Sequence, residues 1–176
     1  MKRALLYVSI FLTLLSGPMV RAESTQPLTD EYIAAIKSGC TDALQGLLRV
    51  QKTEAATRVN RGREYESILK LVAAFNSRVV LNKLDAPLLI STTTKLQTEF
   101  NQFQNHYIDY ADKVDVTLEI NCKQAPVTFY DSLTAARDAR ATVAKDVGEI
   151  ENLLNEYQRG INELNVQLVI IESIKP

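Results

Sequence analysis

The chain has 176 residues, of which 46% are hydrophobic and 23% are charged, with 20 basic and 21 acidic side chains, one histidine and two cysteines. This length is typical of one domain and is sufficient to bury a core. A nearly neutral chain without a basic run lacks the positive surface that nucleic acid or anionic membranes require, so neither is expected as a partner.

Residues 1–22, MKRALLYVSIFLTLLSGPMVRA, have the pattern of a secretory signal peptide. Two basic residues precede the apolar run 4–15, and Val20 and Ala22 stand at the positions before the expected cleavage site. The run is shorter than the roughly 20 residues of a spanning helix, although an uncleaved N-terminal anchor is the alternative. Cleavage leaves 23–176 as a single domain with 17 basic and 21 acidic side chains and a formal charge of −4. We therefore expect a periplasmic or secreted protein.

The first half of the mature chain predicts a short helix followed by a long one. Pro27 lies in the polar segment before EYIAAIK (31–37), and proline begins helices well but continues them badly. The short helix is expected to end near Gly39, because glycine is unfavourable within a helix. Thr41 or a neighbouring aspartate can then cap a second helix that runs to about Leu84.

The second half predicts two further long helices, separated by turns at two prolines. Pro87 precedes a helix over about 88–118, and Pro126 precedes one over about 127–173. At about 1.5 Å per residue these helices would be about 45 Å and about 70 Å long. Short turns between long helices predict antiparallel neighbours.

Apolar residues along the last two helices recur at alternating steps of four and three. In the last helix the repeat comprises Phe129, Leu133, Ala136, Arg140, Val143, Val147, Ile150, Leu154, Tyr157, Ile161, Leu164, Leu168 and Ile171. A repeat of this kind on neighbouring helices predicts coiled-coil-like packing. The expected fold is all-α: an elongated antiparallel bundle of three long helices plus a short N-terminal helix.

The segment RVNRGREYE (58–66) interrupts the apolar pattern of the helix that follows Gly39. The pattern resumes in phase after it, so we predict a continuous helix rather than a loop. Folding the chain at turns near residues 86 and 123 places Gly62 opposite Tyr110 and Ala136. Two small residues would then make room for one large ring.

The same geometry places Tyr65 opposite Tyr107 and Arg140. An arginine buried between phenols can stack on the rings and bind a carboxylate, and it needs such a partner because an unpaired buried charge is costly. This layer can fix the register of the helices, or it can form a small anion pocket with Arg58 and Arg140 as donors and tyrosines as walls. The residues of this polar core layer or possible ligand site are Arg58, Tyr65, Tyr107, Tyr110 and Arg140.

Cys40 and Cys122 are the only cysteines, and export makes a disulfide between them the expected state, with two free buried thiols as the alternative. In the chain-entropy model a loop of this length is worth about 4–5 kcal/mol. No metal site or cofactor is expected, because His106 is the single histidine and no haem-attachment or phosphate-loop motif is present. His106 also lacks a nucleophile to serve, so catalytic residues are not predicted and we expect no enzyme activity.

The end of the last helix stays apolar beyond the expected end of the bundle. The predicted register places Tyr157 opposite Leu89 at the first turn, so the residues after Tyr157 would overhang. An exposed apolar stripe is typical of an interface. Alternatively, the tail packs on its own bundle, or the helix bends or ends near Gly160. The predicted interface residues are Ile161, Leu164, Leu168 and Ile171.

The sequence therefore predicts an exported, non-enzymatic helical bundle that acts by protein–protein association, in a structural, scaffold, chaperone-like or adhesin-like role. The expected partner is another protein or further copies of the same chain, bound through the C-terminal helix. No integral membrane segment is expected after signal cleavage. The alternative function is binding of a small anion at the arginine–tyrosine layer.

Overall fold

A computed structural model describes residues 29–174, so the expected signal peptide at 1–22 lies outside the described residues. The chain forms three helices: α1 (Asp30–Leu81), α2 (Pro87–Glu119) and α3 (Pro126–Ile174). The prediction of an all-α chain with three long helices is confirmed. None of the helices within 29–174 combines the length and apolarity needed to cross a membrane.

The start of α1 differs from the sequence prediction. Thr29 caps the helix, and its hydroxyl accepts a hydrogen bond from the backbone N–H of Tyr32 at 3.3 Å. The helix then continues through Gly39, so the prediction of a separate short helix at 31–37 was wrong. One glycine costs a helix only about 1 kcal/mol, which is too little to end it without other breaking signals. The edge-to-face contact of Tyr32 with Tyr130 of α3, at 5.7 Å between ring centroids, packs this first part of α1 against the bundle.

The predicted continuity of α1 through 58–66 is confirmed. Only Tyr65 of this segment is buried, and the seven residues 55–61 are all exposed. The side chains of Arg58, Arg61 and Arg63 are therefore exposed rather than buried in the core. This part of α1 is held mainly by its own backbone hydrogen bonds.

The core is an apolar seam between α2 and α3, which make the largest helix–helix contact. On α3 every second member of the predicted repeat from Phe129 to Leu164 is buried, but Ala139 and Leu153 are buried in place of Arg140 and Leu154.

Aromatic rings fill the middle of this seam: Tyr65 of α1 contacts Phe100 and Phe103 edge to face, and Phe103 contacts Tyr107. The buried apolar side chains of this main core include Leu96, Phe100, Phe103, Tyr107, Tyr110, Val114, Phe129, Ala136, Val143 and Ile150.

A second apolar cluster closes the end of the bundle at the α1–α2 turn. Val72 and Val79 of α1 pack there with Leu89 of α2 and with Tyr157 and Leu164 of α3. All three helices contribute to it. α3 therefore still lies beside α1 and α2 seven residues after Tyr157.

The facing pairs of α1 and α2 differ from the predicted register. Tyr65 packs on Phe103 rather than on Tyr107, a shift of about one helical turn. The reason is the position of the turn: α1 ends at Leu81, and the residues between it and Pro87 centre on Leu84 rather than on residue 86. In two antiparallel helices, moving the turn by two positions changes the residue opposite any given position by about four residues, which is about one helical turn.

At the opposite end of the molecule Cys40 and Cys122 form a disulfide, with 5.9 Å between their Cα atoms. Cys122 is fully buried, in the turn between α2 and α3. Asn121 shapes this turn, because its side-chain oxygen accepts hydrogen bonds from the backbone N–H groups of Lys123 and Gln124, both at 3.2 Å. The predicted pairing is confirmed, and it links the first quarter of α1 to the α2–α3 turn.

Candidate functional site

Glu54 of α1 is the polar centre of the bundle's middle section. The Tyr107 hydroxyl of α2 donates to Glu54, with its oxygen 2.6 Å from Oε2 and 2.8 Å from the Glu54 carbonyl oxygen. Arg140 of α3 approaches the other carboxylate oxygen, Oε1, at 3.6 Å. One carboxylate thus joins a phenol and a guanidinium from the two other helices.

Burial raises the pKa of the Tyr107 phenol, and the hydrogen bond to Glu54 raises it further. The hydroxyl therefore stays protonated and acts as a donor. It holds the carboxylate in place and cannot serve as a base or a nucleophile near neutral pH.

The predicted layer of Tyr65, Tyr107 and Arg140 does not form as expected. The Tyr65 hydroxyl accepts a hydrogen bond from Arg61 at 3.4 Å, while Arg140 lies beside Tyr110. The side chain of Arg140 is 62% exposed, so its charge is solvated rather than buried between rings. The predicted register was wrong by about one turn for Tyr65, whereas Tyr107 and Arg140 do come together, through the carboxylate of Glu54.

Sequence reasoning missed Glu54, which the structure makes the partner of both Tyr107 and Arg140. Placing Tyr65 opposite Tyr107 left Glu54 outside the predicted layer. A usable signal was available. Glu54 follows Leu47 by seven residues and Val50 by four, so it lies on the same helix face as these two apolar side chains.

Two clefts lie on either side of the middle of α1, and the Tyr110 ring is a wall of both. The cleft between α1 and α2 has a volume of about 160 Å³ and is lined by Glu54, Arg58, Tyr107 and Asp115, among others. The predicted donor Arg58 thus shares its cleft with two carboxylates. A small anion would meet more negative than positive charge there.

The cleft between α1 and α3 is larger, at about 270 Å³, and is more apolar. Gly46 lines this cleft with Tyr110 and Ala136. It takes the place that the sequence prediction had given to Gly62. Arg137 and Arg140 are the charged residues that line it. Of the two clefts, this one combines an apolar wall with an excess of positive charge.

His106 makes a contact that the sequence did not suggest. Its Nδ1 lies 2.7 Å from Oδ2 of Asp146, a carboxylate on α3 that is only 4% exposed. Glu99 lies nearby, and its pKa is raised first by burial and then by the charges of Asp146 and Glu149. Within residues 29–174, no three histidine, cysteine, aspartate or glutamate side chains are grouped so that they could hold a metal ion.

The predicted interface residues fall into two groups, of which only those up to Leu164 pack in the core of the bundle. Leu164 is 4% exposed and Ile161 packs against the second cluster, so these two residues face the bundle's own core. The predicted overhang was wrong for them, because the Tyr157 hydroxyl contacts Val72 and Asn76, well before the end of α1. Leu168 is exposed, and the side chain of Ile171 lies outside the described residues.

Beyond Leu164 the surface of α3 is apolar and exposed. Val166 and Val169 are 60% and 61% exposed, and Ile170 is 51% exposed. The comparisons with protein-family models, with curated proteins and with solved structures find no match for this chain.

Proposed function

We propose that this protein is an exported, non-enzymatic helical bundle that acts by protein–protein association, in a structural, scaffold, chaperone-like or adhesin-like role. The observation that carries the proposal is the exposed apolar end of α3, where Val166, Val169 and Ile170 each expose more than half of their surface. Exposed apolar patches on soluble proteins commonly mark interaction sites. The partner is another protein or a second copy of the chain.

Exposed apolar residues toward the end of α1 support the same location for the interface. Leu71, Val80 and Leu81 are exposed by 71%, 58% and 80%, and they lie at the end of the bundle that the second apolar cluster closes. Apolar side chains on two helices can form one surface, whereas single exposed residues are ordinary. We also propose that α2 and α3 pack in coiled-coil fashion, which the four-and-three spacing of their buried residues supports.

Export is part of this proposal. The pattern of residues 1–22 supports it, and so does the disulfide between Cys40 and Cys122, because such bonds persist in oxidising compartments. The mass of the protein recovered from the exported fraction tests it. We expect a chain that begins at Glu23 and contains no free thiol. Retention inside the cell with residues 1–22 intact would contradict it.

Association is tested by light scattering on the exported protein across a dilution series under non-reducing conditions. We expect a dimer or larger species that dissociates when Val166 and Ile170 are both replaced by aspartate. Ile108→Asp is the matched control, because Ile108 is 52% exposed on α2, away from this end. Leu164→Asp is unsuitable, because Leu164 belongs to the core.

A monomeric wild type redirects the test to other exported proteins. The immobilised wild type should then retain a partner that the double aspartate variant loses and the Ile108 control keeps. If the wild type neither forms a species larger than the monomer nor retains such a partner, the association proposal is wrong.

The second candidate function is binding of a small anion. The cleft between α1 and α3 favours it, because Arg137 and Arg140 lie there with the Tyr110 ring. We expect inorganic phosphate or sulfate to raise the melting temperature and Arg140→Ala to remove the increase. Arg58→Ala is the matched control from the other cleft. If neither anion raises the melting temperature, simple anion binding fails.

A further inference from the structure

The floor of the cleft between α1 and α3 is apolar. Leu47 and Val50 of α1, Val114 of α2 and Leu133 of α3 contribute aliphatic surface, and the Tyr110 ring forms a wall. Leu47, Val114 and Tyr110 are each at most 8% exposed, so this surface belongs to the packed core. A ligand without an apolar part would leave most of this surface uncovered.

The space exists because α1 carries small residues at this point. A Cβ added to Gly46 would meet no atom within 4 Å, so no neighbour fills the gap over this glycine. The cleft volume of about 270 Å³ exceeds the roughly 150 Å³ of an apolar cavity that holds benzene. One aromatic ring system or a short aliphatic chain therefore fits.

The charge at the rim is positive. Arg137 and Arg140 line the cleft, and no acidic side chain of the described residues does. Glu54 offsets part of the charge of Arg140 from 3.6 Å away. Arg137 has no ion pair within the described part of the chain. Two guanidinium groups and one nearby carboxylate leave a net charge of about +1, which one negative charge would balance.

We infer that the cleft between α1 and α3 binds amphipathic monoanions, with an aromatic or short aliphatic body on the apolar floor and a carboxylate or similar group at Arg137 and Arg140. This inference deepens the second proposed function by naming its ligand class, and it is independent of association through the end of α3.

The test uses the exported protein and 2-naphthoate as the probe, with binding measured by calorimetry. The neutral amide 2-naphthamide has the same ring system without the charge. We expect naphthoate to bind at least about tenfold more tightly than the amide, because charge-assisted hydrogen bonds to arginine are lost with the amide. Arg140→Gln should weaken naphthoate by a similar factor and leave naphthamide unchanged.

Two glycine variants locate the site. Gly46→Leu places a side chain in the cleft and should abolish naphthoate binding. Gly62→Leu is the matched control on the same helix, because a Cβ there also meets nothing within 4 Å. It should bind like the wild type. Both changes replace a helical glycine, so both proteins are expected to fold.

The inference is overturned if naphthoate does not bind, if naphthamide binds equally well, or if Gly46→Leu keeps full binding. Loss of binding in the Val166 and Ile170 double aspartate variant would also overturn it, since the probe would then occupy the apolar end of α3. If inorganic phosphate stabilises the protein while naphthoate does not bind, simple anion binding stands and this ligand class is wrong.

Discussion

The side-chain oxygen of Asn76 in α1 accepts a hydrogen bond from the Tyr157 hydroxyl of α3 at 2.8 Å. The amide nitrogen of the same asparagine donates to the hydroxyl of Thr93 in α2 at 2.7 Å and lies 3.2 Å from the Leu89 carbonyl oxygen. One side chain thus joins all three helices beside the second apolar cluster. Polar groups in such places fix which layers meet, as the sequence analysis expected of the arginines.

We therefore expect changes in this network to be costly. Asn76→Ala should lower the free energy of unfolding by about 1–3 kcal/mol, because the Tyr157 and Thr93 hydroxyls each lose one hydrogen-bond partner at a partly buried site. Tyr157→Phe should cost about 1–2 kcal/mol for the same reason. Urea denaturation measures both values. Asn105→Ala, an exposed asparagine on α2, is the control and should change stability by less than about 0.5 kcal/mol.

The contacts of Glu54 give a contrast between two residues of the predicted layer. Tyr107→Phe should lower the free energy of unfolding by about 1–2 kcal/mol, because the hydrogen bond from its hydroxyl to Glu54 is lost. Arg140→Ala should cost less than about 1 kcal/mol, because its ion pair is long and its side chain is mostly in water. Chemical denaturation of both variants measures the two losses in stability. A loss of several kcal/mol in Arg140→Ala would mean that the arginine is buried after all.

Gly160 marks the closest approach between α3 and α2. A Cβ on this glycine would lie 2.7 Å from Cδ2 of Leu89, a side chain with no exposed surface and no room to move. Gly160→Ala should therefore lower the free energy of unfolding by about 1–3 kcal/mol. Gly148→Ala on the same helix meets nothing within 4 Å and should raise it by up to about 1 kcal/mol. Thermal unfolding that ranks the two variants in the opposite order would contradict this packing.

The environment of Glu99 predicts a pH dependence of stability. Its pKa is raised by burial and by the carboxylates of Asp146 and Glu149, so the folded state binds this proton more tightly than the unfolded state does. The protonated side chain therefore contributes to stability below the unfolded-state pKa of about 4.3, and this contribution is lost as the pH rises through the higher pKa of the folded state. At neutral pH the ionised group opposes folding. Glu99→Gln should therefore raise the melting temperature at pH 7, with little effect at pH 3.

Glu66→Gln is a control for which the expected change in melting temperature at pH 7 has the opposite sign. The hydrogen bond and charge of Lys70 hold the pKa of Glu66 below its usual value, so this carboxylate stabilises the fold above its unfolded pKa and loses that effect as pH falls. The substitution should slightly lower the melting temperature at pH 7. If both glutamine variants shift the melting temperature in the same direction, the explanation from local charge is incorrect.

The repeat spacing was sufficient to predict the helices, because burial of one face every three or four residues is a local property of the chain. The same spacing identified Phe129, Ile150 and Tyr157 of α3, which are buried, but it missed Ala139 and Leu153, which are buried as well. The prolines at 87 and 126 located the two turns to within a residue or two.

The register could not be predicted in the same way, because it depends on the few residues that form each turn. An error of two positions at the α1–α2 turn moved Tyr65 from Phe103 to Tyr107 and hid the role of Glu54. A separate error at the α2–α3 turn produced the predicted overhang, because Leu89 packs against Gly160, three residues beyond Tyr157. The contact between Asn76 and Thr93 becomes visible only when the helices are correctly aligned.

The exposed stretch 55–61 of α1 has a consequence for the integrity of the protein. A protease that opened this part of the helix would cut the chain after Cys40 and before Cys122. The two fragments would remain covalently joined by the bond between these cysteines, and most of the buried surface of α2 and α3 would be untouched. A single cut here would therefore leave one particle that is heavier by only one water, and it would separate into two polypeptides only when it is both unfolded and reduced.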